Sequence, residues 1–161
     1  MTPYEQVTVV GDGGWGTAVA LVLAEKGQRV VMWGHDPAYL ERMRASRENR
    51  LFLPGIRLPE ALTFEPDLDA AIAASSLVIT AIPTKFLRSS LGRATRTVPA
   101  ETGFVSLTKG IEAGSLARPT QILAECLGAR RLAVLSGPSH AEEVARRKPT
   151  TVVVASDDPQ L

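Results

Sequence analysis

The chain has 161 residues, with 18 Lys and Arg against 17 Asp and Glu, a formal net charge of +1. That length suits one domain, residues 1–161, with a sizeable core, and the near-neutral balance excludes the charge footprint of a nucleic-acid or anionic-membrane binder. No apolar run approaches the ~20 residues of a bilayer span and the N-terminus has no basic start ahead of an apolar stretch, so the reading is a cytoplasmic protein with a small-molecule partner.

In chain order, the apolar run Val7–Val10 predicts a buried strand, and Gly11-Asp12-Gly13-Gly14-Trp15-Gly16 follows it directly. A helix over Gly14–Glu25 comes next, with Ala18, Leu21, Val22 and Ala24 near helical spacing and Gly27 just past its end. Val30–Trp33 reads as a second strand, which completes strand, helix, strand by residue 33. Helices are predicted at Ala38–Arg47, Asp67–Ala74, Lys85–Thr95, Thr120–Leu127 and Ala141–Arg147, and further strands at Leu77–Ile82, Phe104–Leu107, Leu132–Leu135 and Thr151–Ala155. Residues 50–63, with Pro54, Gly55 and Pro59, read as an irregular loop leading to a short strand near Thr63–Phe64. Continuous apolarity in the strands and alternation with helices predict an α/β fold, a doubly wound, mostly parallel, Rossmann-like sheet in a single domain. The single cysteine excludes an internal disulfide, and Cys126 shares a helical face with Ile122, Leu123 and Leu127, which makes it a core residue.

The glycine-rich stretch matches G-x-G-x-x-G between a strand and a helix, the context in which that pattern binds a dinucleotide. Gly11 permits the tight turn, Gly13 lets backbone approach a pyrophosphate, and Gly16 permits close helix–strand packing; the alternative is a strand–helix turn without a ligand. An acid usually ends the second strand of an NAD site, but here the place reads Trp33-Gly34-His35-Asp36. A glycine leaves room for a 2′-phosphate and His35 could donate to it or lie beside adenine, so NADP is favoured with NAD still open. His35 as an exposed turn residue is the plain alternative. Flavin lacks the second glycine cluster it would need, and no Lys and Ser/Thr follow the last glycine as a Walker loop requires.

Other strand ends carry further candidates, since ligands in open α/β sheets sit beyond the carboxyl ends of the strands. Phe86 follows Pro83 and either flanks the cofactor or fills the core. Lys109 follows a strand, where its ammonium could donate to a hydroxyl, carbonyl or phosphate oxygen; a solvated surface lysine is the alternative. Ser136-Gly137-Pro138-Ser139-His140-Ala141-Glu142-Glu143 offers small-residue N–H groups and a hydroxyl, while Ser139 and Glu142 also fit an S-x-x-E capping box. Ser139 beside His140 is no hydrolytic dyad, because sequence neighbours point apart. No metal site is predicted.

The segments Val9–Ala18, Trp33–Pro37, Thr108-Lys109-Gly110 and Ser136–Glu143 together resemble bacterial NAD(P)-dependent sn-glycerol-3-phosphate dehydrogenases, in order and over essentially the whole chain. The resemblance implies reversible conversion of dihydroxyacetone phosphate to sn-glycerol 3-phosphate for phospholipid synthesis. It implies that Gly14, Trp15, His35, Phe86, Lys109 and Ala141 touch the cofactor, beside Gly11, Gly13 and Gly16, and that Lys109, Gly137 and Ser139 touch the substrate. It assigns the proton-transfer lysine to a helical domain beyond residue 161, so no residue here is expected to be the proton acceptor, and it leaves a homodimer of the full-length protein open. Gly14 departs from the serine or asparagine common in relatives, which removes a side-chain contact but leaves the backbone donor. A stand-alone NAD(P)-sensing module without catalysis is the competing reading.

Overall fold

The computed structural model describes residues 4–92, 98–128 and 131–161. β1 (Val7–Val10) leads into α1 (Gly14–Glu25), then β2 (Val30–Trp33), α2 (Pro37–Ser46), β3 (Glu48–Asn49), β4 (Leu53–Arg57) and β5 (Leu62–Phe64). α3 (Leu68–Ala73), β6 (Leu77–Thr80), α4 (Thr84–Leu91), β7 (Gly103–Ser106), α5 (Pro119–Leu127), β8 (Arg131–Ser136), α6 (Ala141–Ala145) and β9 (Val153–Ser156) complete the order. Seven strands form one sheet in the order β5-β2-β1-β6-β7-β8-β9, parallel except for the last pair. The doubly wound fold is therefore as the sequence predicts.

Most predicted elements fall within a residue or two of the observed ones, because their apolar residues alternate between two helix-covered faces. Val7, Val9, Val30 and Met32 pack with Ala20, Leu40 and Met43 on one face; Val10, Val78 and Phe104 pack with Ile72, Leu87 and Ile122 on the other. Both clusters are buried, as a parallel sheet requires. The last three residues of the helix predicted at Lys85–Thr95 lie outside the described residues. Residues 50–63 are a correction: β3 and β4 form an antiparallel pair with a register shift at Glu48/Asn49. Pro54 and Gly55 sit within β4, where a two-stranded ribbon outside the main sheet tolerates residues that a central strand would not. Its buried Leu53 packs on Ala18 and Leu21 of α1.

From β1 the chain winds outward through β2 to β5 on one side, then crosses to β6 and winds through β7 and β8 on the other. The reversal lies between β1 and β6, so a crevice opens at their carboxyl ends.

Candidate functional site

Gly11 leaves β1 with φ +126°, and a Cβ there would stand 2.8 Å from the Ala81 carbonyl beyond β6. Glycine is thus required twice over, by conformation and by space. A Cβ on Gly16 would collide with the Gly11 carbonyl oxygen, whereas one on Gly13 would meet nothing within 4 Å. The loop is packed hard at its first and third glycines and open at its second.

α1 begins at that open point. Gly13 is its N-cap without a side-chain cap, and its first turn holds no acid. The first N–H groups of a helix have no partner within it, so this end carries unneutralised positive potential toward the crevice. The residues present therefore fit a pyrophosphate: backbone donors, an open approach at Gly13 and no competing carboxylate in the first turn.

Asn49, which sequence reasoning passed over, locks the loop. Its side-chain amide donates to the Asp12 carbonyl at 2.8 Å and to the Thr17 hydroxyl at 2.7 Å, and its oxygen accepts from the Tyr39 hydroxyl at 2.6 Å and the Phe52 N–H at 3.1 Å. All four polar positions of a fully buried amide are used. The same ribbon explains Gly14: a Cβ there would lie 2.7 Å from the Phe52 carbonyl oxygen and 3.5 Å from the Ala141 Cβ. Gly14 and Ala141, far apart in the chain, thus meet at the starts of α1 and α6. Trp15 is half-buried against both the first-face core and the α1–β4 cluster.

A cleft of about 330 Å³ opens at the crevice, lined by Asp12, Trp33, His35, Ile82, Pro83 and Phe86 among others. Phe86 is half-exposed at its rim with the Lys85 ammonium 4.7 Å from the ring centroid, so the core alternative for Phe86 does not hold. α4 carries it outward because Thr84, Leu87 and Leu91 take the buried face. Trp33 floors the cleft, its indole N–H donating to the Pro66 carbonyl at 3.0 Å. His35 is exposed at the end of β2.

One premise drawn from the sequence fails here. The volume beside Gly34 is not free, because a Cβ there would come within 2.5 Å of Asp12 Cγ and Oδ2. The carboxylate of the glycine loop occupies the place that a side chain at the end of β2 would take. Burial pushes the Asp12 carboxyl above its ordinary range, helped by Asp36 and opposed by its own backbone N–H and by His35.

Lys109 is exposed beyond β7, on a segment tied to the β6–α4 turn by two hydroxyl bonds: Thr84 donates to the Lys109 carbonyl at 2.6 Å and Thr108 to the Ile82 carbonyl at 3.0 Å. Its ammonium makes no ion pair among the described residues. Gly137 follows β8 with φ +152°, and a Cβ there would stand 2.8 Å from the Thr151 carbonyl. The predicted capping box is absent: α6 starts after His140 with no side-chain cap, and the Ser139 hydroxyl points back to the Gly137 carbonyl at 3.4 Å. Ser139 precedes the N-cap position, His140, by one residue. Because β7 and β8 are adjacent and parallel, Lys109 and Gly137–Ser139 leave the sheet at the same end as the glycine loop. Cys126 is half-buried against the second-face core with its thiol pushed up by burial, in keeping with a packing role. Among the described residues no cluster of three His, Cys, Asp or Glu side chains could hold a metal, and no helix is long and apolar enough to cross a membrane.

A glycine loop at the switch point of a doubly wound sheet, feeding an uncapped helix, defines a dinucleotide-binding domain of the Rossmann class. More particularly, residues 6–161 match the model of the NAD-dependent glycerol-3-phosphate dehydrogenase N-terminus, and the chain belongs to that family. It is 46% identical over 154 residues to glycerol-3-phosphate dehydrogenase (NAD(P)+) of Geobacillus thermodenitrificans, covering 94% of this chain and 45% of that protein. The enzyme of the same name from Chlorobium phaeobacteroides is 40% identical, over 94% of this chain and 46% of that protein. Among solved structures, glycerol-3-phosphate dehydrogenase from Coxiella burnetii superposes with a TM-score of 0.92 at 35% identity, covering 97% of this chain and 48% of that one. The Saccharomyces cerevisiae enzyme gives 0.85 at 31% identity, over 96% and 48%. The chain spans about half the length of the curated relatives it matches.

Proposed function

We propose that this chain is the cofactor-binding part of an NAD(P)-dependent sn-glycerol-3-phosphate dehydrogenase, an enzyme of the cytoplasm that interconverts dihydroxyacetone phosphate and sn-glycerol 3-phosphate for glycerophospholipid synthesis. The observation that carries the reading is the open backbone at Gly13, at the unneutralised start of α1, with Lys109 and Gly137–Ser139 leaving the same end of the sheet.

A bound nicotinamide would supply or accept hydride at a carbon of the substrate. The chain's own residues do the holding. Backbone N–H groups at Gly14, Trp15 and Gly16 receive the pyrophosphate, with Gly11 and Gly16 fixing the loop and Ala141 closing its side. His35 and Phe86 border the adenosine cleft. The Lys109 ammonium and the Gly137–Ser139 turn present donors to a small phosphorylated substrate, orienting it and drawing electron density toward its oxygen. The substrate proton is exchanged with a group outside residues 1–161.

The test is substrate-dependent oxidation of reduced nicotinamide by the full-length parent. Turnover with dihydroxyacetone phosphate supports the proposal; cofactor binding without turnover on that substrate refutes it in favour of a sensing module.

A further inference from the structure

We propose that Asp12 sets the nucleotide preference of the cleft, accepting from the adenosine ribose hydroxyls and repelling a 2′-phosphate, so that the chain takes NADH in preference to NADPH. The inference rests on the dinucleotide reading above, and it reverses the preference that Gly34 alone implies.

Three observations support it. Asp12 Cγ and Oδ2 occupy the volume directly over Gly34, the position from which an acid ordinarily reaches the ribose. The missing side chain at the end of β2 is thereby replaced from the neighbouring loop. Second, the carboxylate lines the cleft beside Trp33, His35 and Phe86, and no cation forms an ion pair with it among the described residues. Beyond its own backbone N–H, the acceptor capacity of the carboxylate is left for a ligand. Third, the charges that face this corner do not make a phosphate site. Asp36 caps α2 through the Ala38 N–H at 2.9 Å and adds a second negative charge. Arg42 is drawn to Asp36 at 3.7 Å and lies over the Tyr39 ring, while Arg44 donates to the Phe64 carbonyl at 2.7 Å. Among the described residues, His35 and the Ser90 hydroxyl remain as donors at the cleft, the Ser89 hydroxyl donating to the Phe86 carbonyl and the Lys85 ammonium lying over the Phe86 ring, against two carboxylates.

A 2′-phosphate brings a charge of about −1.5 to −2 near neutral pH, on the general scale of phosphomonoesters. Placed against Asp12 it is repelled, whereas a 2′-hydroxyl donates to the same oxygen. The half-buried site screens this difference less than bulk water does.

The experiment measures dissociation constants of NADH and NADPH, and of ADP-ribose and its 2′-phosphorylated form, for the chain and for Asp12→Asn. NADH is expected to bind at least about tenfold more tightly than NADPH, and Asp12→Asn to bring the two within about threefold. The amide leaves the Asp12 carbonyl free to accept from Asn49, so the loop keeps its anchor. Asp36→Asn, a control at the α2 cap, should move the ratio less than Asp12→Asn does. NADPH binding as tightly as NADH, or a ratio unmoved by Asp12→Asn, overturns the assignment. Should the variant not fold, the wild-type ratio decides alone. Failure of every nucleotide to bind instead overturns the dinucleotide reading itself.

Discussion

Replacing Asn49 with alanine removes four hydrogen bonds, two of which, to the Asp12 carbonyl and the Thr17 hydroxyl, tie the β3–β4 ribbon to the glycine loop and α1. At about 1 kcal/mol net per bond the gross loss is ~4 kcal/mol. Neither the Asp12 carbonyl nor the Tyr39 hydroxyl is left wholly unpaired, since the Thr17 hydroxyl already donates to the former at 3.4 Å and the Leu51 N–H to the latter at 3.0 Å, and the long Thr17 bond is free to shorten. The net expectation is about 3 kcal/mol, a large share of the ~5–15 kcal/mol by which domains are stable. For a chain of this size that lowers Tm by roughly 6–12 °C. Urea titration and thermal melting read the loss directly, and Tyr39→Phe, which deletes one bond of the four together with the Leu51 N–H bond to the same hydroxyl, should cost about 1–2 kcal/mol. Nucleotide affinity should fall together with stability in Asn49→Ala, because the Asp12 carbonyl and Thr17 are the points at which the loop is held. A loss below about 1 kcal/mol, or one no larger than that of Tyr39→Phe, would refute the reasoning.

Gly16→Ala should destabilise by roughly 2 kcal/mol net: the Cβ collides with the Gly11 carbonyl, and this outweighs the ~1 kcal/mol gained in helix propensity. A thermal melt showing stabilisation would contradict the close packing. Lys109→Met should leave nucleotide affinity within a few-fold but raise KM for dihydroxyacetone phosphate in the full-length parent by at least about tenfold, since it removes a charge-assisted donor and leaves the Thr84 bond to the Lys109 carbonyl in place; unchanged kinetics would exclude it from the substrate site. Arg88 grips Glu112 at 2.7 and 2.9 Å and holds its carboxyl at about 2 against an ordinary 4.5. The folded value is depressed, so the stabilisation is present above pH about 4.5 and is lost as pH falls toward 2. The stability difference between wild type and Glu112→Gln should shrink over that window, and a difference constant with pH would show that ionisation of Glu112 is not its source.

Where elements were legible in the chain, one local signal sufficed. The β-branched runs before Gly11 and Gly34 could only be buried strands, and helix α1 was bounded by glycines at both ends. Within the loop read at residues 50–63, the strand Leu53–Arg57 escapes a local reading because Pro54 and Gly55 are breakers there, and only the register with Glu48 and Asn49 shows them within a paired ribbon. The Ser139–Glu142 motif failed for a different reason: S-x-x-E places the cap at Ser139, whereas α6, starting at Ala141 as the sequence predicts, has His140 as its N-cap and no side-chain cap bond.

By itself, the sequence determined the doubly wound class, the place of the phosphate turn and the strand ends at which Lys109 and Ser139 stand, because each depends on periodicity or on glycine spacing within a few residues. Only the tertiary structure decided that Asn49 anchors the turn, that Gly14 is crowded by Phe52 and Ala141, and that Asp12 fills the space over Gly34. These are contacts between segments tens of residues apart, set by how the ribbon and the two helix starts converge. Here one consequence is chemical: a glycine that by sequence leaves room for a phosphate instead makes room for the Asp12 carboxylate of the glycine loop.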